Sequence, residues 1–337
     1  MTIHPFDWAG RRVFVTGATG IVGSWLVKRL LDRNAHVVTL VRDWDPQTEL
    51  VRSGDILRTN VVNGRLEDYG TIERALNEHE IEVVFHLGAQ PIVATALRNP
   101  LPTFEANIRG SYNLLEACRV HRSLVKRVIV ASSDKAYGDG PSLPYTEEMP
   151  ANGKHPYDVS KSCTDLLSLS YAHTYDLPVT VARCGNIYGG GDLNWSRIVP
   201  GTIRSLWKGE RPIIRSNGLF TRDYIFVDDV VAAYTVLAEQ SDRDGVRGEA
   251  FNFSPESRVS VLEITRAMQR VMERQDLEPI VLDEVRSEIR DQYLDSSKAK
   301  ERLGWSAAYG LERGLSKTVS WYDAFLTANG AGQQARV

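Results

Sequence analysis

Short runs of β-branched and aliphatic residues recur through the first 184 residues, each separated from the next by a stretch long enough for a helix. The runs fall at 12–16, 35–41, 60–63, 83–87, 125–131 and 179–183. Helical stretches fall at about 23–33, 68–80, 102–121 and 157–175. Strands alternating with helices of this length cannot pair as hairpins; they run parallel and are covered on both faces. The pattern therefore predicts an α/β chain with a doubly wound parallel sheet. After residue 184 the rhythm loosens, broken by GGGD at 189–192 and by Pro200, Pro212 and Pro255. Most of 185–330 reads as a smaller α+β C-terminal lobe, with 220–250 packing back on the large sheet. The tail 298–327 reads as two amphipathic helices around GWSAAYGLERG.

In an open parallel sheet, ligands bind outside the carboxyl ends of the strands. The first strand ends in TGATGIVG, with Gly17, Gly20 and Gly23 between strand and helix. Such a turn lets backbone N–H groups approach a pyrophosphate at the helix N-terminus. This makes residues 1–184 a Rossmann-type, NAD(P)-binding unit and 185–330 mostly a substrate lobe. The second strand ends in TLVRD, so Val41, Arg42 and Asp43 occupy the place where an acid would read the ribose of NAD. An arginine there suits a 2′-phosphate, which leans the cofactor toward NADP. Asp43 facing a ribose hydroxyl keeps NAD open.

Two further strand ends carry chemistry. KRVIVASSDKAYG sets Ser133, Asp134 and Lys135 just past a buried run. HPYDVSK places Tyr157 and Lys161 four apart, on one helix face. A lysine one turn from a tyrosine favours the phenolate and is expected to bring its pKa toward neutrality. With a serine hydroxyl opposite, the pair forms an acid–base device for alcohol–ketone interconversion beside a nicotinamide.

Composition bounds the remaining classes. An apolar content of 42%, a charged content of 25% and a net charge of −3 are those of an ordinary globular chain. They give no reason to expect nucleic acid or an anionic membrane as partner. MTIHPFDWAG lacks the apolar core of a signal peptide, and the longest apolar stretches are too short to span a bilayer. Three cysteines (Cys118, Cys163, Cys184) are not spaced as metal ligands and read as thiols in a reducing cytoplasm, with no metal expected.

Together, TGATGIVG, FHLGAQ, NIRGSYNLLEA, SSDKAYG, YDVSK, RCGNIYGGGD, RDYIFVDDV and SKAKERLGW resemble the extended short-chain dehydrogenase/reductase family. Within it the chain is similar to the nucleotide-sugar dehydratases and epimerases. LGAQPIV, SSDKAYG, GGGDLNWSRIVP and SEIRDQYLD resemble the CDP-glucose 4,6-dehydratase branch. ATGIVGSW, Arg65 and Ser287 depart from that branch, which usually has HTGFKGSW, an acid and a histidine there. The resemblance implies cofactor contacts at Gly17, Thr19, Gly20, Ile21, Gly23, Arg42, Leu66, Leu87, Ala89, Tyr157 and Lys161. It implies contacts to a nucleotide-diphosphate sugar at Gln90, Asn186, Arg197 and Arg222.

Asp–Lys after the active-site serine is the elimination form of the site, so the resemblance implies a 4,6-dehydratase. Tyr157 would take the C4 hydroxyl proton, Lys135 (if neutral) the C5 proton, and Asp134 would protonate the departing C6 oxygen. An epimerase using the same oxidation at C4 is the alternative. The resemblance also implies a homodimer joined through helices 103–120 and 157–175, and the cysteine usage leads to a cytoplasmic location being expected. The segment 138–156 is long enough to close over the sugar.

Overall fold

The computed structural model describes residues 6–140, 142–284 and 289–334; Ser287 lies outside them. In the first part of the chain the strands are β1 (Arg12–Thr16), β2 (His36–Val41), β3 (Asn60–Asn63), β4 (Val83–His86), β5 (Arg127–Ala131) and β6 (Val179–Cys184). Then follow β7 (Asn186–Tyr188), β8 (Ile213–Ile214), β9 (Thr221–Phe226), β10 (Ala250–Phe253), β11 (Arg258–Ser260), β12 (Ile280–Val281) and β13 (Asp291–Gln292).

Seven strands form one parallel sheet in the order β10-β6-β5-β4-β1-β2-β3. Alternate residues of each strand face opposite sides, as the period-2 pleat requires. Val13, Val15, Phe85 and Ile129 enter one core, and Phe14, Val84, Val128 and Val130 enter the other. Both faces are therefore apolar, which explains why the strands read as unbroken aliphatic runs. Strand order reverses between β1 and β4, and that switch point is where such sheets open a crevice.

The helix Val227–Gln240 packs on the first core through Val230, Tyr234 and Leu237. The seventh strand is not among those read from the sequence: Ala250–Phe253 pairs parallel with β6. AFNF is short and isolated, and only its non-local pairing makes it a strand.

The stretch expected as one helix over 102–121 is helical from Leu101 to Val120. Its centre, Glu105–Arg109, is a π-helical turn. Such a turn inserts an extra residue and re-aims side chains, frequently beside a functional site.

The second sheet is built on β9. Its Thr221 end takes β11 antiparallel and β13 parallel, and its Phe226 end takes β7 parallel. The helix Leu311–Gln334 closes this lobe, packing Leu315 and Tyr322 against Tyr188, Phe226 and Met268. Among the described residues no helix is long and apolar enough to cross a membrane.

Candidate active site

Of the residues expected at a dinucleotide, all but Tyr157 and Lys161 follow the carboxyl ends of β4, β1, β2 and β3. Gly17 has φ +68, and a Cβ there would lie 2.7 Å from the Gly88 backbone nitrogen. A Cβ on Gly23 would collide with the Gly17 carbonyl. Only glycine lets the loop lie this close to its neighbours. The helix Ile21–Asp32 begins at Gly20 without a side-chain cap and without an acid in its first turn. Its N–H groups are thus left to an anion, which is the geometry a pyrophosphate needs. Thr19 and Ile21 flank this opening and are half-buried. Leu66 is buried under the loop, where a Cβ on Gly88 would touch it at 2.8 Å, and Leu87 and Ala89 are half-buried beside it. Arg42 is exposed at the end of β2, but its Nε donates to Asp43 at 2.6 Å.

The second half of the site comes from β5 and the helix Pro156–Tyr175. The Ser133 hydroxyl donates to Asp134 Oδ1 (2.9 Å) and accepts from the Lys135 N–H (3.2 Å). That capping starts a 3₁₀ turn, Asp134–Tyr137, which lies beside the helix Pro156–Tyr175. The loop after the turn is anchored. Asn152 N donates to Ala136 O at 2.8 Å, and buried Tyr145 donates to the Gly138 carbonyl at 2.8 Å. Lys161 Nζ donates to the Ala131 carbonyl at 2.8 Å, tying the helix to the end of β5.

Electrostatics differ from the sequence expectation at one point. Lys161 was expected to bring the Tyr157 phenol toward neutrality. Instead desolvation holds that phenol up at about 12, with Asp134 and Asp158 adding to the rise. Arg197 and the Ser133 hydrogen bond pull the other way. The physical reason is that Lys161 is itself desolvated, down to about 8, and its ammonium serves Ala131. Asp134 is raised by burial, against the opposing pull of Lys135, Ser133 and Arg222. A carboxyl so placed keeps its proton more readily than a surface aspartate and can donate it.

The four residues assigned to the substrate differ in burial and in the partners that hold them. Arg197 is partly exposed, held by Asp192 at 2.9 Å, and its charge reaches Tyr157. Asn186 is half-buried on β7. Gln90 is half-buried, with its side chain turned onto its own loop through Ile92 N at 2.8 Å. Arg222, read as a substrate cation, is buried on β9. Its guanidinium donates to the carbonyls of Thr221 (2.8 Å), Arg290 (2.8 Å) and Ile289 (2.6 Å). The β9–β13 pairing turns it inward, where it holds a strand and faces Asp134.

The sequence missed two groups. Asn107, in the π turn, takes the Gln90 N–H at 2.7 Å and donates to Ser160 Oγ at 2.9 Å. His86 lies between Thr16 Oγ1 (2.9 Å) and Ser111 Oγ (3.0 Å). FHLGAQ carried the histidine, but nothing in the sequence showed what it touches.

With this geometry in place, comparison with known proteins decides the family. The family described as GDP-mannose 4,6 dehydratase matches residues 14–318. The chain belongs to that family. It is an enzyme of the extended short-chain dehydrogenase/reductase type, in the group of nucleotide-sugar dehydratases and epimerases. A CDP-glucose 4,6-dehydratase from Salmonella typhimurium is 30% identical over 340 residues, covering 95% of this chain and 92% of that one. The structure of a UDP-glucose 4-epimerase from Thermotoga maritima with UDP-glucose is 29% identical with a TM-score of 0.84. It covers 94% of this chain and 99% of its own. A dTDP-glucose 4,6-dehydratase from Bacillus anthracis in complex with NAD, 24% identical with a TM-score of 0.82, shares the fold; the match covers 94% of this chain and 97% of that one.

In this member of the GDP-mannose 4,6-dehydratase family the burial of Asp134 has a measurable cost. Its folded pKa is raised, so between the ordinary carboxylate value and the raised one the unfolded chain has already lost a proton that the folded chain keeps. Stability therefore falls as pH rises through that window. Asp134→Asn removes the penalty and should raise Tm at pH 7, with the gain shrinking as pH falls toward about 4. Melting curves across that range check it; a pH-independent change would place Asp134 in solvent.

Proposed function

We propose that the chain is a nucleotide-sugar 4,6-dehydratase acting on CDP-glucose or a close relative, with NAD(P) as a recycled cofactor. The observation that carries this reading is a desolvated carboxyl with a raised pKa, Asp134, set beside Lys135 and within electrostatic reach of Tyr157. An epimerase needs only the Tyr157–Lys161–Ser133 device. It does not need a proton donor and an amine on the same turn. The epimerase likeness in fold and sequence keeps C4 epimerisation as the second reading.

In this reading residues 1–184, together with 220–250, hold the dinucleotide, and β10 extends that unit. Most of 185–330 holds the sugar nucleotide. A bound nicotinamide supplies a reversible hydride acceptor and, when oxidised, a positive charge. The loop Gly17–Gly23 and the N-terminus of the following helix bind its pyrophosphate, and Leu66, Leu87 and Ala89 line its path. With the positive charge of an oxidised nicotinamide beside it drawing its raised pKa down, Tyr157 as the phenolate would accept the proton of the C4 hydroxyl, which Ser133 orients. Lys161 fixes Tyr157's helix to β5 and contributes positive charge. The 4-ketone acidifies C5–H, and Lys135, as the neutral amine, removes that proton. Asp134 gives its proton to the C6 oxygen, which leaves as water across C5–C6. Return of the C4 hydride to C6 and of the Lys135 proton to C5 would then leave a 4-keto-6-deoxy sugar nucleotide with the cofactor restored. Arg197 and Asn186 meet the sugar diphosphate, and Arg222 holds the segment above Asp134.

The chain's partner in this reading is a second copy of itself, in the cytoplasm. Tyr112, Val120, Leu166 and Tyr175, exposed apolar residues on the helices 103–120 and 157–175, support that packing. Light scattering at micromolar concentration should show a dimer, and a monomer would remove this part of the proposal. The preference for NADP rests on Arg42, whose charge is shared with Asp43. Arg42→Ala should weaken NADP by about 1.5–3 kcal/mol and leave NAD unchanged, since a charged hydrogen bond is lost. Equal affinities for both cofactors before and after substitution contradict the preference.

The elimination itself is tested by separating it from oxidation. Asp134→Asn and Lys135→Met delete a proton donor and a base while leaving Tyr157, Lys161 and Ser133 in place. Each should slow water loss by about 10²–10⁴-fold, the usual worth of a positioned acid or base. Reduced cofactor and a 4-keto sugar nucleotide that retains its C6 hydroxyl should accumulate. Normal product from both variants would return Asp134 and Lys135 to the role of a buried turn.

A further inference from the structure

Lys135 is not aimed by its own turn alone. Its Nζ donates to Gln292 Oε1 at 2.5 Å, although the two residues are 157 positions apart. Gln292 is fully buried on β13, in register with Arg222 of β9. The strand that carries it is pinned on both sides. Thr221 N donates to Arg290 O at 3.0 Å, Leu294 N to Asp223 Oδ2 at 2.7 Å, and Tyr145 N to Tyr293 O at 3.0 Å. The other end of the amide, Nε2, is buried and has no hydrogen-bond partner among the described residues. An unmade bond of that kind costs about 1–3 kcal/mol. The amide carbonyl is thus placed on Lys135 in spite of what its nitrogen loses.

We propose that Gln292 is the positioning residue that directs the Lys135 amine to the C5 proton; the inference rests on the reading of Lys135 as the elimination base. A carbonyl oxygen only accepts, so it engages one N–H of the amine and leaves the lone pair to face away from the amide, toward the site. The lone pair takes the C5 proton, the C5–H electrons pass to the C4 ketone as an enolate, and collapse of the enolate expels the C6 oxygen as water with the proton of Asp134. Once Lys135 is an ammonium, its bond to Oε1 is charge-assisted and strengthens, which favours the transfer. A carboxylate at this position would instead hold the proton on Lys135 beforehand and disable the base. Asp134 and Asp158 already lie within electrostatic reach of Lys135, so the residue type matters: a neutral acceptor orients the amine without adding a further carboxylate. Because β13 hangs on β9 and on Tyr145, the base is in place only when the lobe strand is seated over the 3₁₀ turn.

The test uses holoenzyme with Gln292→Met, which keeps length but cannot accept, and Gln292→Glu, which accepts with a full charge. Water loss and solvent deuterium exchange at C5 should slow by about 10²-fold in the methionine variant, the effect of a small misplacement of a reacting group. Oxidation at C4, read as reduced cofactor, should be unchanged, which also shows that the variant is folded. In the glutamate variant the acidic limb of the water-loss profile should move to higher pH, because the carboxylate raises the Lys135 pKa. Wild-type exchange and an unmoved profile overturn the proposal, and so does a loss that strikes oxidation and elimination equally. Lys135→Met, run in parallel, separates the two levels. If it dehydrates normally, the base assignment fails and takes Gln292 with it. If it is slow while Gln292→Met is normal, only the role of Gln292 fails.

Discussion

Thr16 of β1 stands in register with His86 of β4, and the pairing of these two strands at the switch point sets the position of everything around it. The Gly88 N–H donates to Thr16 Oγ1, and the Thr16 hydroxyl donates to His86 Nδ1, the acceptor nitrogen of a neutral ring whose proton is on Nε2. His86 Nε2 then donates to Ser111 Oγ, and Ser111 donates to the Asn107 carbonyl in the π turn. Every proton in the chain has one direction. The histidine can hold this arrangement because burial, helped by the Lys161 charge, keeps its pKa near 3 and the ring neutral. The glycine loop, the end of β4, the π turn and the helix bearing Tyr157 are thereby fixed to one another.

On that frame the molecule accepts electrostatic cost where chemistry needs it. Asp134 and Lys161 are both buried, and desolvation moves each toward its neutral form. Buried charges of this kind do little for stability even when paired. Arg183 and Asp165 supply the contrast. They form a fully buried bidentate pair (2.8 and 2.7 Å) behind Tyr137, with each charge answered, and that pair fixes the underside of the 3₁₀ turn. Neighbouring Asp223 is also raised, to about 7, mainly by burial, and its Oδ2 holds Ser254 and Leu294. Beneath the turn the Arg183–Asp165 pair is fully answered, whereas Asp134 in the turn is shifted toward keeping its proton.

How much of this was legible in the sequence follows from range. Period-2 aliphatic runs and intervening helices are local signals, so β1 to β6 could be read within a few residues of their observed ends. TGATGIVG and YDVSK are local as well, and their glycines and the Tyr157–Lys161 spacing carried the oxidising half of the site. What could not be read depends on distant pairing. Ala250–Phe253 is a strand only because β6 lies beside it. Arg222 reads as a substrate contact, and nothing local shows that its guanidinium also holds the carbonyls of Arg290 and Ile289; Gln292 looks like any polar residue until it meets Lys135. The π turn leaves no mark in NIRGSYNLLEA, and the raised Tyr157 pKa reflects desolvation that no spacing rule contains.

The account depends on elimination at the Asp134–Lys135 turn, and the most direct measurement is of the product. Holoenzyme incubated in deuterated water with CDP-, dTDP- and UDP-glucose, followed by mass spectrometry, should convert one of them to a species lighter by one water and carrying solvent deuterium at C5. Net cofactor should be unchanged. An isomer of unchanged mass, with no deuterium at C5, would contradict the account and make the chain an epimerase.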